Sequence, residues 1–303
     1  VRLVSLLPVV LVACGFTPGS GGDAIDAPID DDGGTGDAAV DAIVDADIDP
    51  DAAPIDGDGD GVFDGDDNCV AVPNPQQWDE DLDAMGDSCD PCPQIATLQP
   101  VPDGDGDGVG DDCDPRPAIT GDVLVLFDGF HEPLNGPPAG WSTSSIGDGS
   151  WAIAGGVLRY STDGGSESIT HVQPANGGLG NDHTIDTTVT MTNGSGPVQV
   201  AAVLGDYNNG GMGQVRFTHC AVRADSDGEV ELFTRTGTSG APVWTRLDYV
   251  EEPSIAFNVP YRILLRNTDD DQDCLAGGAS LDGNQATFSG NRVGFRARNV
   301  SAV

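Results

Sequence analysis

Between residues 56 and 117 the chain sets its acids in a register that leaves its backbone few choices. Counted from the first aspartate of each unit, acids fall at positions 1, 3, 5, 9 and 12. The first unit supplies Asp56, Asp58, Asp60, Asp64 and Asp67; the second, Asp79, Asp81, Asp83, Asp87 and Asp90; the third, Asp103, Asp105, Asp107, Asp111 and Asp114. The units begin 23 and 24 residues apart, and chance does not phase fifteen acids in this way. Position 6 is glycine in the outer units, Gly61 and Gly108, as a sharp turn requires, and Ala84 in the middle one. A stretch so charged and so poor in apolar residues has no core of its own. A chain wrapped around a cation presents oxygens from alternating positions, and Ca²⁺ takes roughly six to eight of them. The spacing therefore predicts that Ca²⁺ serves as the core.

Two known loop types share the opening DxDxDG. An EF-hand would carry Glu at position 12 between two helices, whereas these units end in Asp. Pro54 precedes the first unit, and Pro91 and Pro115 follow the next two, which disfavours paired helices. DGDGDGVFDGDDNC, followed by Asn74 and Gln77, then DEDLDAMGDSCD and DGDGDGVGDDCD, resembles thrombospondin type 3 repeats over residues 56–117. The resemblance implies loops wound around a line of Ca²⁺ ions with almost no secondary structure. It implies the fifteen aspartates as ligands with Asn74 as a further one, and disulfides Cys69–Cys89 and Cys92–Cys113. Val70 stands where the family has proline.

The acidity is concentrated upstream. Residues 1–117 hold 29 acids against Arg2 and Arg116, and the whole chain has a formal charge of −38 with no lysine. Nucleic acid is excluded as a partner, since phosphate binding needs clustered cations. Residues 15–55 are Asp, Ala, Gly and Pro with scattered Ile and Val, and their aspartates follow no fixed spacing. This composition predicts a disordered, extended tether. Ahead of it, residues 1–14 pair Arg2 with an apolar run from Leu3 to Val12, too short to span a bilayer and suited to an export signal. The run ends in Leu11-Val12-Ala13-Cys14, which resembles the lipobox of bacterial lipoproteins. That implies a lipidated Cys14 and an exported protein anchored to the bacterial outer membrane or cell surface. Setting Cys14 aside leaves six of the seven cysteines, Cys69, Cys89, Cys92, Cys113, Cys220 and Cys274, an even set for disulfides in an oxidising compartment. Cys89 to Cys92 also reads CxxC, as a redox pair or half a zinc site would. No second pair of zinc ligands is near and no βαβ pattern surrounds it.

Residues 118–303 have a different texture: short apolar runs separated by Gly, Asn and Asp, with no helical periodicity. Runs at 123–130, 151–161, 183–192, 198–206, 213–224, 229–236, 243–250, 261–267, 274–283 and 292–302 predict strands of an antiparallel sandwich, with Cys220 and Cys274 bridging inside it. The fold class is thus mostly β. FDGF, Gly140-Trp141, WAIAGGVL and the late SLDGNQATFSGNRVGFRARN resemble the concanavalin A or laminin G type of jelly roll. That likeness implies an extracellular glycan or protein partner held at rim loops, with Trp141, Tyr207, Asn208, Asn209 and Trp244 as candidate ligand residues. Trp141 and Trp151 can equally fill the core, and Asp128 can hold a structural cation. No catalytic residue is assigned: a paired-carboxylate glycosidase run is missing, since Glu229 and Glu231 stand without a third acid. GxSxG is also missing, and His131-Glu132 runs into Pro133 where a zinc motif needs helix. The expectation is a calcium-binding surface lipoprotein for adhesion or recognition. A structural envelope protein and a glycan-processing enzyme are the alternatives.

Overall fold

The structure, a computed structural model, describes residues 2–5, 54–97, 99–146, 149–162, 167–173, 183–192, 197–206, 216–238, 241–268, 271–284 and 292–299. Cys14, the tether up to residue 53, Tyr207, Asn208 and Asn209 lie outside the described residues. The chain divides into two compact units, Val9–Gln77, and Val1–Pro8 with Trp78–Val303. The first Asp loop belongs to one, and the second and third loops share the other with the β-domain.

The described residues form strands and no helix. In chain order these are β1 (Arg2–Ser5), β2 (Ser142–Ile146), β3 (Ser150–Ile153), β4 (Leu158–Thr162), β5 (Glu167–Val172), β6 (His183–Thr190) and β7 (Val198–Asp206). They continue as β8 (Arg216–Ala224), β9 (Glu229–Thr238), β10 (Ala241–Glu251), β11 (Pro260–Thr268), β12 (Asp271–Ala276), β13 (Ala279–Asn284) and β14 (Arg292–Asn299). A seven-stranded sheet, β10-β9-β8-β7-β14-β5-β2, faces a four-stranded one, β13-β12-β11-β6, and a small sheet β1-β4-β3 takes its edge strand β1 from the residues read as an export signal. The expected antiparallel sandwich is the fold.

Period-two side-chain alternation builds it. Along β11, Tyr261, Ile263 and Leu265 are buried while Arg262 points outward and pairs with Asp186 of β6. Val200, Ala202 and Leu204 of β7, Val222 of β8 and Val230 and Leu232 of β9 meet Val189, Ile263, Leu265 and Leu281 from the other sheet. Cys220 of β8 and Cys274 of β12 are disulfide-bonded across the core, with Cα atoms 5.3 Å apart. Closing their 54-residue separation stabilises the sandwich by about 4 kcal/mol on chain-entropy grounds.

Three of the expected strands need correction. Residues 151–161 and 274–283 are each a hairpin, β3-β4 and β12-β13. Gly277 and Gly278 turn between β12 and β13 with φ of 57° and 88°, the doubly positive backbone of a tight hairpin. The apolar run 123–130 forms no strand: it has no ladder partner among the described residues, and Val123 is 70% exposed. Two polar strands, β2 and β5, escaped apolar patterning because Ser and Thr fill many of their positions.

Candidate metal centres and a candidate ligand face

Each Asp loop closes by the same hydrogen bonds, copied position by position. The position-1 carboxylate accepts N–H groups from positions 4 and 6: Gly59 at 2.7 Å and Gly61 at 3.1 Å, Leu82 at 2.7 Å and Ala84 at 3.0 Å, Gly106 at 2.7 Å and Gly108 at 3.0 Å. Position 9 accepts from position 2: Asp64 from Gly57 at 2.7 Å, Asp87 from Glu80 at 2.8 Å, Asp111 from Gly104 at 2.7 Å. Position 5 reaches fourteen residues ahead, so Asp60 accepts from Asn74 at 2.7 Å, Asp83 from Thr97 at 3.0 Å and Asp107 from Gly121 at 2.9 Å. Both turn positions have positive φ. Glycine supplies it in the outer loops, while Leu82 and Ala84 carry it at 64° and 77° in the middle one. The middle loop is therefore the strained copy, at position 4 as well as at the Ala84 already marked by sequence.

These bonds leave some oxygens turned inward. Asp56, Asp58 and Asp60, then Asp79, Asp81 and Asp83, then Asp103, Asp105 and Asp107 each bring carboxylate oxygens within 4.8 Å of one another. One oxygen of each position-3 aspartate, Asp58, Asp81 and Asp105, and of Asp90 and Asp114 at position 12, is buried without a hydrogen-bond partner. Buried polar atoms are nearly always satisfied, so five orphaned carboxylate oxygens at equivalent positions fit a cation. Burial also lifts several of these carboxyls above the usual range in the ion-free chain: Asp58, Asp90 and Asp114, with Asp81 pushed up to about 6. A positive ion would reverse that cost. The residues present can hold a metal ion.

The expected ligands do not all gather. Position-9 carboxylates lie outside the acidic groups and act as loop clamps, and Asp87 also meets His131 Nε2 at 3.1 Å. His131 stacks on Trp78 at 4.7 Å and approaches Glu80 at 3.4 Å. Burial first, and then neighbouring acids, push the Glu80 carboxyl up to about 7 despite that imidazole. The Asn74 amide lies between Asn68, 2.7 Å away, and Gln77, 2.9 Å away. A further acid joins instead: Asp122 groups with Asp107 and Asp114 within 4.8 Å. Its N–H donates to Asp107 at 2.7 Å, and it sits one residue beyond the position-19 contact seen in every loop. That shared offset from position 5 is the signal that would have found it.

The disulfides agree with this loop order. Cys92 and Cys113 are bonded with Cα atoms 5.7 Å apart, and Cys69 and Cys89 are each disulfide-bonded. CxxC is therefore two separate half-bridges.

The second candidate is the face of the seven-stranded sheet turned away from the core. Strand β8 is buried along nearly its whole length, on both faces, where a solvated outer face would alternate. Register places Gln199, Ala201, Val203 and Gly205 of β7 beside Arg223, Ala221, His219 and Phe217 of β8. On β8's other side lie Glu229, Glu231, Phe233 and Arg235 of β9. Beyond them, Trp244 and Arg246 of β10 pair with Arg235 and Phe233. Glu231, 2% exposed, receives Arg246 at 2.6 Å and also Gln199, while Arg223 stands 3.7 Å away. Arg296, 3% exposed, donates to Glu167 at 2.9 Å and to Gln199 and lies 5.0 Å from the Trp244 ring. His219, 1% exposed, stacks on Phe233 at 5.2 Å, and neither of its ring nitrogens has a hydrogen-bond partner. Burial, with Arg296 nearby, holds that imidazole well below its ordinary pKa, so it is neutral.

Of the aromatics marked by sequence, Trp141 packs against the core, stacked on Phe295 at 5.8 Å, and Trp151 is buried with its Nε1 donating to Ser168 at 2.7 Å. Among the described ones, Trp244 alone opens onto this face, 39% exposed. The rest of the face was not legible as a site, because its members stand at alternate positions on separate strands and meet only through strand pairing.

No protein-family model matches the chain. No curated protein matches it either. Among solved structures it is similar to a carbohydrate binding module, CBM66, from Bacillus subtilis, at 20% identity over 53% of this chain and 88% of that one, with a TM-score of 0.40. It is also similar to sheep galectin-11 in complex with glycerol, at 9% identity over 46% and 97%, with a TM-score of 0.30. A Bacillus subtilis protein of unknown function with a galectin-like fold is 10% identical over 52% and 82%, with a TM-score of 0.38.

Proposed function

We propose that this protein is an exported, lipid-anchored, calcium-binding surface protein that presents its β-sandwich for adhesion or glycan recognition. One observation carries the calcium part: three loops repeat one hydrogen-bond plan and leave five buried carboxylate oxygens unpaired. Oxygen-only donors select a hard cation, and irregular loops with many carboxylates suit Ca²⁺ better than octahedral Mg²⁺. The ions and disulfides would stiffen residues 56–117 into a stalk, with residues 15–55 as tether and Cys14 as anchor. Recognition is supported by the face holding Trp244, where aromatic rings and fixed polar groups converge as in small-ligand sites.

The test uses the full chain on an array of glycans, with and without calcium. Binding that survives washing supports recognition, and a blank array favours the purely structural reading. Glycan cleavage is a second reading, favoured by one observation: Glu229 and Glu231 stand side by side on the Trp244 face, where burial and the adjacent Glu231 raise the Glu229 carboxyl, as a general acid requires. Absence of products from a polysaccharide panel removes it. Substituting Cys14→Ala releases the protein from membranes on this account, and persistent membrane fractionation contradicts the anchor.

A further inference from the structure

Half of the chain's twelve arginines occupy one face of one sheet. Arg223 and Arg235 pair across β8 and β9 with Glu229 and Phe217, and Arg246 faces Phe233. Arg292, Arg296 and Arg298 of β14 stand opposite Gly205, Ala201 and Gln199 of the same face. The carboxylates in register with them are Glu167, Glu229, Glu231 and Glu251, with Asp225 at the β8–β9 turn bonded to Arg223. Six arginines against these five acids leave this face without the excess of negative charge that gives the chain −38, so an anion is repelled less here, even though Arg223, Arg246 and Arg296 already pair with acids.

The cations are interleaved with rings. Arg235 lies 5.6 Å from the Phe217 ring and 5.5 Å from Trp244; Arg246 lies 5.2 Å from Phe233 and 4.4 Å from Tyr249. Ala201, Ala221, Gly205 and Gly294 keep the middle of the face low. Trp244 and Tyr249 at the β10 edge remain open to solvent. Arginine forks match carboxylate and sulfate geometry, and aromatic faces accept the apolar side of a ring. His219 adds a buried polar group that no protein group satisfies.

We infer that this face binds an anionic glycan, whose sugar rings stack on Trp244 and whose carboxylate or sulfate is held by Arg235 and Arg246. The inference rests on the glycan-recognition reading and narrows it to one chemical class. Affinity of the full chain is measured for a polyuronate, a sulfated galactan, a neutral glucan and poly-aspartate. Binding of the polyuronate or the sulfated galactan, weakening as salt rises, supports the inference and tells carboxylate from sulfate. Arg235→Gln lowers that affinity about tenfold, the size expected for one charge-assisted bidentate contact. Trp244→Ala lowers it with the Cys220–Cys274 disulfide and the β-sheet circular dichroism unchanged, which keeps the test independent of folding. Binding of the neutral glucan alone, or poly-aspartate competing as well as the polysaccharide, overturns the inference while glycan recognition by another surface stands or falls on the array. No binding to any of the four overturns the inference, and the array alone decides glycan recognition.

Discussion

The Asp loops and the β-sandwich reach order by opposite routes. In the loops, nearly every acid has a local task fixed by its distance from position 1, and the loop repeats those tasks with hydrogen bonds that differ by a few tenths of an ångström. In the sandwich, no residue is informative by itself; period-two burial and the pairing of distant strands carry the fold. The difference teaches where stability resides. Without a cation the loops hold like charges and little apolar surface, whereas the sandwich has a continuous core of apolar side chains.

The largest expected effect separates the two regions at once. Calcium chelation expands residues 56–117, read as a larger radius in small-angle scattering, while the β-sheet circular dichroism of the sandwich is unchanged. Equal losses in both regions, or unchanged scattering, would break the comparison. Next in size, replacing Cys220 and Cys274 together by Ala lowers the sandwich's unfolding free energy by about 4 kcal/mol. Calcium uptake by that variant stays at the wild-type level, and a parallel fall in uptake would show that the regions are not independent.

Acid gives an effect of opposite sign in the two regions. Asp81 has its folded-state carboxyl raised to about 6 without an ion, so the folded loop holds protons that the unfolded chain gives up from about pH 4 upward. The calcium-free loop is therefore most stable below that range and loses stability as pH rises towards 6. In the sandwich, burial and then the Arg292 charge lower His171 to about 4. The unfolded chain binds the proton first, so the sandwich loses stability as pH falls from about 6.5 to 4. Chelated protein followed by fluorescence and scattering across this range checks both signs. A common direction would contradict the assignment.

The smallest effect concerns the strained middle loop. Ala84→Gly relieves a left-handed alanine and stabilises that loop by about 1 kcal/mol, whereas Gly61→Ala costs the first loop about as much. Calcium affinities of the two variants, compared with the parent chain, measure this.

How legible each region was in sequence follows from the same contrast. Register gave the three loops and the acids at positions 1, 3 and 5 that gather in each, because those placements are local, while the six cysteines came from setting Cys14 aside. It did not distinguish the clamp at position 9 from a ligand, since both need Asp at fixed spacing, nor did it reach Asp122 beyond the third loop. Alternation gave most strands of the sandwich, but Gly155-Gly156 and Gly277-Gly278 marked hairpins inside what looked like single runs. The Trp244 face stayed hidden because Arg296, Glu231 and His219 meet only through strand order, which no local pattern records.

The central claim is that cations form the core of residues 56–117. Counting bound calcium by native mass spectrometry, on the full chain and on a variant with Asp58, Asp81 and Asp105 each changed to Asn, tests it most directly. The account predicts several ions on the parent chain, removed by chelator, and a clear loss of ions in the variant. A parent chain that binds no calcium at millimolar concentration, or a variant that binds as many ions as the parent, would contradict it.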